Sequence, residues 1–482
     1  MNVLQVSAEC YPAVKKGGLG DVVGSLPKYL NKLGINTSVV VPKYDLPWFQ
    51  DHEFEDIYES SANMGPERFY FKIERAKADP LTFPFYAVDI QGRFDRPGVY
   101  IDPITGFPYW DEFERFLSFQ IAVLEWVLHN DAKPDVIHCH DHHTGMIPFM
   151  MTKSFRYGDL ESIPTVITVH NAEYQGTHSA RKAHLLPEFD WNDYGMLDWN
   201  SQFNCLASAI KTAWRVTTVS PSYMEELKFS SSGLEELFRK ESGKSQGILN
   251  GIDSSVWDPS TDSFIAKNYK VDSVEEGKRE NKKVLCESFG LNPELPTFAF
   301  IGRLAREKGA DLLPDLISDF IHEKEEVNFV VLGSGDSELE RLFTNMKDRH
   351  TGFFNTHLGY NEKLSHQIYA GADCMVMPSR VEPCGLNQMY AMKYGTMPVV
   401  RAVGGLKDTV IDVDKGGTGI QFKDFNLLDS MHALRRALER YRDPKTFNET
   451  RKRMMRLNFS WKNSAKEYRK LYQQLTKTKG QM

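Results

Sequence analysis

Short apolar runs rich in β-branched residues alternate with helical patterns along most of the chain, and this alternation constrains the fold more than any other feature. The runs lie at residues 3–6, 35–41, 135–139, 166–169, 216–219, 298–301, 329–332, 375–377 and 397–400. Near-continuous apolar runs of this length are typical of strands that are buried on both faces of a parallel sheet. Their alternation with helices predicts an α/β fold with right-handed crossovers.

The predicted strands form two groups, which indicates two doubly wound domains within the 482 residues. A glycine-containing connection, residues 247–253, and a polar stretch, residues 254–280, separate the groups. We therefore predict one Rossmann-like domain at residues 1–250 and a second at residues 251–460. Residues 51–110 are rich in aromatic side chains and poor in strand-like runs, so we interpret them as an insertion at the edge of the first domain.

Composition excludes several classes of protein and indicates a compartment. The formal net charge of -7 argues against a dedicated nucleic-acid-binding protein, which usually carries a basic excess. The six cysteines are scattered without a CxxC pair, which favours a reducing compartment over a disulfide framework. We recognise no signal peptide and no apolar run long enough to cross a membrane, and we therefore expect a cytoplasmic protein without a membrane partner.

A glycine-rich loop, Lys15–Asp21, follows the first predicted strand and precedes a helix. Backbone N–H groups in such a turn attract anions, and the lysines beside them add positive charge. The spacing matches neither GxGxxG nor a P-loop, so an ordinary strand-to-helix turn remains an equal alternative. A related string at residues 404–408 suggests that each domain carries a glycine loop of this kind.

Polar residues follow two further strands of the first domain, where ligands of open α/β sheets usually bind. The histidine-rich stretch at residues 138–143 is compatible with zinc, but alternation along a strand would split its side chains between two faces. We therefore favour a polar, substrate-facing strand end. His170 and Asn171 suit recognition of sugar hydroxyls, with a capped strand end as the alternative.

Cations and a carboxylate follow strands of the second domain. Arg303 and Lys308 lie across one turn and suit a diphosphate, with an ion-pair cluster around Glu307 as the alternative. Glu382 follows another predicted strand and can accept hydrogen bonds from sugar hydroxyls. The amides of Leu386 and Asn387, at a predicted helix start, can meet a phosphate.

Taken together, these motifs resemble those of the bacterial glycogen synthases and plant starch synthases, which are retaining glucosyltransferases of the GT-B fold. The resemblance covers nearly the whole chain and rests on the following strings in order: KxGGLxD, HDxH, HNxxYQG, GILNGxD, GRLxxxKG, PSRxEPCGLxQ, GGLxDTV and a final FSW. It implies two Rossmann-like domains facing a cleft, with a final helix at residues 461–482 that crosses back to the first domain.

The resemblance also implies substrates and residue roles. The donor is ADP-glucose or UDP-glucose, and the acceptor is the non-reducing end of an α-1,4-glucan. The implied diphosphate-binding residues are Lys15, Gly18, Arg303, Lys308, Gly385, Leu386 and Asn387. The implied sugar and acceptor residues are Asp21, Asp141, His170, Asn171 and Glu382, and Tyr360 stacks on the nucleotide base.

The chain departs from the family pattern at a few positions. Lys16 stands where bacterial members usually have Thr, and Glu112 replaces an Asn. His142 replaces the Trp of HDWH, which changes the stacking surface that the family pattern implies on the acceptor side. Tyr390 falls where related GT-B enzymes carry a second Glu, as is usual for this family.

We therefore expect a glycogen or starch synthase that uses ADP-glucose and needs neither cofactor nor metal. Catalysis is assigned to Arg303 and Lys308, which stabilise the leaving diphosphate, with Glu382 and His170 at the donor sugar. The alternatives are a transferase that uses UDP-glucose or another acceptor, and a catalytically silent glucan-binding scaffold. Oligomeric state stays open.

Overall fold

In a computed structural model, which describes residues 1–323 and 326–479, the chain divides into two compact units. One contains Met1–Gly251 together with the C-terminal helix that begins at Trp461, and the other is Ile252–Ser460. Each unit is built on a largely parallel sheet covered by helices. Among the described helices, none combines the length and apolar character that a membrane crossing requires.

The first unit contains the strands β1 to β12. Their bounds are Asn2–Val6, Asn36–Pro42, Phe54–Met64, Glu67–Ala76, Phe85–Asp89, Val136–His140, Thr165–Val169, Thr177–His178, Asp198–Trp199, Gln202–Asn204, Arg215–Thr218 and Ser245–Gly247. Over the described residues, the main sheet has the order β12-β11-β7-β6-β1-β2-β5-β4-β3. From β12 to β5 all pairings are parallel, so the carboxyl ends of β1, β6 and β7 share one edge.

The insertion predicted at residues 51–110 does lie at the edge of this sheet, but it holds a long antiparallel hairpin that the sequence analysis did not predict. β3 and β4 pair from Phe54 and Ala76 to Met64 and Glu67. β3 is the exposed edge strand. Its mixture of polar and apolar residues contains no apolar run that would predict a strand. In β4, Phe69, Phe71 and Ile73 alternate with exposed residues and face the core.

The helices of the first unit cover the main sheet. α1 to α7 run over Gly18–Lys32, Pro47–Gln50, Glu112–His129, Met146–Lys153, Cys205–Thr212, Pro221–Leu227 and Glu235–Lys240. α3 carries the apolar face that the sequence indicates, and Phe116, Leu117 and Leu124 are buried there.

The second unit contains β13 to β18 and α8 to α15. The strands are Thr297–Ile301, Asn328–Gly333, Phe354–Leu358, Cys374–Met377, Met397–Arg401 and Ile420–Phe422. The helices are Val274–Phe289, Leu313–His322, Ser337–Arg349, Glu362–Gly371, Asn387–Lys393, Gly404–Thr409, Leu427–Tyr441 and Pro444–Arg456. Within the described chain the sheet is parallel throughout, in the order β15-β14-β13-β16-β17-β18.

The last helix, α16 (Trp461–Lys479), packs in the first unit, as the family resemblance implies. Its apolar stripe includes Trp461, Tyr468 and Tyr472, all buried in one cluster with Val22 and Leu26 of α1. Full burial of a large apolar side chain is worth about 1.5–3 kcal/mol, so this stripe fixes α16 firmly to α1.

A buried ion cluster ties the second unit together behind β16. Asp373 accepts from Arg451 at 2.6 Å and from the backbone N–H of Thr297 at 2.9 Å. Its carboxylate also pairs with Lys282 Nζ at 2.7 Å, and Lys282 donates to Tyr441. The carboxylate thus connects α8 and α15 to the sheet directly, and α14 joins the cluster through Lys282.

Candidate active site

Lys308 and Glu382 meet at the carboxyl edge of the second sheet. Nζ of Lys308 lies 2.6 Å from Oε1 of Glu382, and the Ser379 hydroxyl donates to Oε2 at 2.9 Å. Glu382 is 5% exposed, whereas the side chain of Lys308 is 25% exposed. The carboxylate is therefore held from both sides, and the ammonium group retains access to solvent.

Glycines allow the loops that carry this pair to approach closely. Gly309 has φ +68°, and a Cβ there would lie 2.1 Å from the carbonyl oxygen of Pro378. Gly404 has φ +43°, and its Cβ would lie 2.1 Å from the carbonyl oxygen of Glu382. The N–H of Gly405 donates to that same oxygen at 3.1 Å. The second glycine string thus supports the backbone of Glu382.

Arg303 follows β13 and lies near the same edge, but its guanidinium pairs with a neighbour. Its NH2 group is 2.6 Å from Oε1 of Glu307, and more than half of the side chain is exposed. Glu307 also fixes the Glu382 loop, because its backbone carbonyl accepts from the N–H groups of Arg380 and Val381. The ion-pair alternative for Glu307 is thus present, and Arg303 stays a predicted phosphate ligand.

The remaining predicted donor residues lie around the same sheet edge. Gly385 has φ +70°, and Asn387 begins α12 with its side chain donating to the carbonyl of Ile301 at 2.7 Å. Leu386 is the N-cap residue. Tyr360 follows β15, is 75% exposed, and donates to Glu362 at 3.0 Å. An exposed ring in this position is compatible with the predicted base stacking.

The glycine loop of the first unit is organised by a residue that no motif identified. The buried carboxylate of Glu9 accepts from the backbone N–H groups of Lys16 at 2.5 Å and Gly17 at 3.0 Å. Its other oxygen accepts from the Tyr100 hydroxyl at 2.7 Å. The amides of Lys16 and Gly17 are therefore already bound to the Glu9 carboxylate. Burial raises the pKa of Glu9.

Lys15 and Asp21, at the two ends of the loop, form an ion pair of 2.8 Å. Lys15 also lies over the ring of Tyr11, with Nζ 5.1 Å from the ring centroid. Gly18 begins α1, and open space surrounds the position where its Cβ would lie. Lys15, Gly18 and Asp21 therefore share one partly exposed surface.

A row of histidines lies at the carboxyl ends of β6 and β7, with His138 and His140 fully buried and His170 partly buried. Nδ1 of His140 is 3.0 Å from Nε2 of His170, and Nε2 of His140 is 3.3 Å from Oε1 of Gln5. His138 stacks on His140 at 4.3 Å and contacts the hydroxyl of Tyr472 in α16. Burial lowers the pKa of His138 and of His170 to about 3, so both rings are neutral at pH 7.

Asp141 joins this row to the neighbouring strand end. Its carboxylate accepts from the backbone N–H of His170 at 2.7 Å, and burial raises its pKa to about 7. Its own backbone has φ +56°, a strained value for a residue with a side chain. Asn171 caps its own turn by accepting from the N–H of Glu173 at 3.0 Å. Strained backbone such as that of Asp141 clusters at functional sites.

Within each unit, the structure brings predicted residues together. Lys308 contacts Glu382, Lys15 contacts Asp21, and Asp141 contacts His170. Glu9 and Ser379 were missed, because a single carboxylate ahead of the glycine loop and a lone serine carry no spacing signal. The assigned roles of the predicted residues stay predictions.

Comparison with known proteins identifies the family. Residues 2–240 match the family model described as starch synthase catalytic domain, and residues 281–454 match glycosyl transferases group 1. The chain is 46% identical to glycogen synthase of Flavobacterium johnsoniae over 98% of both chains. It is 38% identical to glycogen synthase of Bacillus cereus, over 98% of this chain and all of the relative.

Solved structures agree on the fold. The catalytic domain of starch synthase IV from Arabidopsis thaliana, bound to ADP and acarbose, matches with a TM-score of 0.88 and 31% identity over 98% of this chain and 99% of that one. Sucrose-phosphate synthase from Thermosynechococcus elongatus shares the fold alone, with a TM-score of 0.63 and 17% identity over 99% of each chain. The predicted α/β GT-B fold is confirmed, and the chain belongs to the glycogen synthase and starch synthase family of retaining glucosyltransferases.

Proposed function

We propose that this chain transfers glucose from ADP-glucose to the non-reducing end of an α-1,4-glucan with retention of configuration. The contact between Lys308 and Glu382 is the observation that carries the proposal, because it places a solvent-accessible cation beside a buried carboxylate. Such a pair suits a sugar diphosphate. The carboxylate can accept hydrogen bonds from the sugar hydroxyls, and the cation can stabilise the charge of the phosphates. The ADP in the starch synthase IV structure supports an adenine nucleotide as donor.

The chemistry follows from where charge develops. When the bond between the anomeric carbon and the phosphate breaks, negative charge grows on the leaving diphosphate. Lys308, held beside Glu382, and Arg303 stabilise that charge, and electrostatic stabilisation of this kind is usually the largest contribution to catalysis. Glu382 holds the donor glucose, and Tyr360 stacks on the base.

The acceptor side belongs to the first unit in this proposal. Desolvation keeps His170 neutral, and because its Nε2 is engaged by His140, Nδ1 is the ring atom that can meet a sugar hydroxyl. Asn171, Asp141 and Asp21 supply further polar groups, and Lys15 adds positive charge. No cofactor or metal enters the transfer step that we propose.

Initial-rate measurements of nucleotide release with glycogen as acceptor test the donor. We expect kcat/KM for ADP-glucose to exceed that for UDP-glucose by at least about tenfold, which corresponds to about 1.4 kcal/mol of transition-state binding. Equal or reversed preference would contradict the donor assignment. Glucan binding without nucleotide release from either donor would instead favour the silent scaffold.

Gly404→Ala tests whether the glycine string supports Glu382. An added Cβ would lie 2.1 Å from the Glu382 carbonyl, so the loop must shift, and we expect kcat to fall at least about tenfold. Gly416→Ala is the matched control, since Gly416 also has positive φ, +76°, but has open space around its Cβ position. Steady-state kinetics of both variants makes the comparison. The Gly416→Ala variant should keep the kcat of the wild type, and equal kcat values for the two variants would contradict the role assigned to Gly404.

A further inference from the structure

Glu112, His142 and His143, named here the Glu112 cluster, bring their side chains together in the first unit. One potential ligand atom from each lies within 4.8 Å of those of the other two. Nε2 of His142 is 3.7 Å from Oε1 of Glu112.

The backbone explains why these side chains converge. β6 ends at His140, and His142–Thr144 forms a short 3-10 turn behind the strained Asp141. Side chains alternate between the two faces of the sheet only along the strand, which ends at His140. His142 and His143 lie in the turn, so this alternation does not separate them. Glu112 is the first residue of α3, which contacts that turn.

The orientation of His142 leaves one ring nitrogen available to a ligand. Its Nδ1 lies 3.0 Å from the backbone carbonyl of Tyr174, and a carbonyl can only accept, so Nδ1 carries the proton. In the neutral ring the lone pair is then on Nε2, the nitrogen that lies 3.7 Å from Oε1 of Glu112. A backbone carbonyl in this position is the usual outer partner of a metal-binding histidine. Gly176 lies against the ring, since a Cβ there would be 2.6 Å from Cδ2 of His142.

His143 contributes a buried imidazole whose hydrogen bonding is incomplete among the described residues. Its ring stacks on Tyr100 at 4.7 Å and meets the edge of Phe116 at 4.6 Å. The side chain is 8% exposed, and among the described residues Nδ1 has no hydrogen-bond partner. A buried nitrogen without a partner is costly and calls for an explanation such as an ion.

We propose that the Glu112 cluster binds a divalent transition metal of the Zn²⁺ class. Two imidazoles and one carboxylate form a donor set that suits Zn²⁺, at bond lengths of about 2.0–2.2 Å. Ligand atoms around a tetrahedral ion at that bond length lie about 3.4 Å apart, so atoms within 4.8 Å of one another need to approach by at most about 1.4 Å. Glu112 can supply this movement, because its side chain is 27% exposed.

The bound ion links the start of α3 to the turn that follows Asp141. With three protein ligands, one position of a tetrahedral ion stays open to water or to a sugar hydroxyl. The turn that carries both histidines directly follows Asp141, a predicted acceptor residue, so the bound ion is placed to adjust acceptor binding, and it takes no part in the transfer step that we propose.

Titration of the purified full chain with Zn²⁺ by calorimetry, with dialysis and elemental analysis, tests the proposal. We expect the wild type to retain a single Zn²⁺. Loss of an outer partner of a metal ligand typically costs 10–100-fold in affinity, so removal of a ligand in Glu112→Gln or His142→Gln should cost more than about 100-fold. The Co²⁺ form should show a tetrahedral electronic spectrum that both variants lose.

His129→Gln is the matched control, because His129 also lies beside a carboxylate, with Nδ1 3.8 Å from Glu125 Oε2, but belongs to no such cluster among the described residues. Its affinity for Zn²⁺ should equal that of the wild type. Circular dichroism checks that each variant folds, and either ligand variant alone decides the test. Absence of Zn²⁺ binding by the wild type, or equal binding by wild type and ligand variants, would overturn the proposal.

Discussion

Lys308→Ala is expected to lower kcat by about 10²–10³, the typical cost of removing one preorganised group that stabilises transition-state charge. In the native protein, Nζ of Lys308 is held 2.6 Å from Glu382, so its charge is in place before the bond breaks. The interaction strengthens as the leaving diphosphate gains charge. The KM for glucan should change little, because the lysine belongs to the donor side of the proposal. Steady-state kinetics with saturating donor measures both quantities.

The control for this variant is Lys283→Ala, which removes an exposed lysine from α8 of the same unit and should leave kcat unchanged. Because Lys308→Ala leaves the buried Glu382 without its cation, thermal unfolding must show that the variant remains folded. Lys308→Arg keeps the charge and should recover part of the rate. Near-normal turnover of a folded Lys308→Ala protein would contradict the assignment of this lysine to the diphosphate.

Asp373→Ala should lower the free energy of unfolding of the second unit by about 3–5 kcal/mol, the usual cost of breaking a buried ion pair from one side. Asp373 is 2% exposed, and its removal leaves Lys282 and Arg451 buried without a counter-charge. The N–H of Thr297 loses its acceptor as well. Denaturation by urea, followed by circular dichroism, measures the change.

Asp414→Ala provides the comparison on the surface of the same unit. Asp414 pairs with Arg436 and Arg440, but its side chain is 56% exposed, so its loss should cost about 0–1 kcal/mol. A similar small loss for Asp373→Ala would show that the buried cluster contributes little to stability.

Acid titration gives a second test of the Asp373 cluster. Burial alone would raise the pKa of Asp373, but the charges of Lys282 and Arg451 hold it below the usual value of an aspartate. The unfolded chain then binds the proton more readily than the native one. The stabilisation from this residue is thus present above the unfolded-state pKa and is lost as pH falls through the native pKa. Asp373→Asn should flatten that part of the stability curve.

The core strands could be predicted from the sequence because their burial on both faces leaves an apolar run. Thr165–Val169 and Cys374–Met377 are examples, and the structure buries every residue in them. β3 escaped prediction for the opposite reason, since an edge strand exposes polar side chains to water. Pairing with β4, which follows β3 after two intervening residues, is what makes it a strand.

The candidate site was predictable where charge and glycine spacing coincide, as at Lys308 and Glu382. The similarity between the two glycine strings was misleading in detail. In the first unit the amides of Lys16 and Gly17 bind Glu9, and in the second unit Gly404 supports the backbone of Glu382. Both strings allow the backbone to lie close to a neighbouring group, but the motif alone does not identify that group.

The histidine row has a consequence for the tautomer of His170. Oε1 of Gln5 faces Nε2 of His140, so that nitrogen carries the proton and Nδ1 of His140 accepts from Nε2–H of His170. The Nδ1 atom of His170 is then left as a lone-pair acceptor. Rotation of the Gln5 amide by half a turn would reverse both rings and turn that atom into a donor. A glutamine in the first strand thereby sets which kind of hydroxyl contact His170 can make.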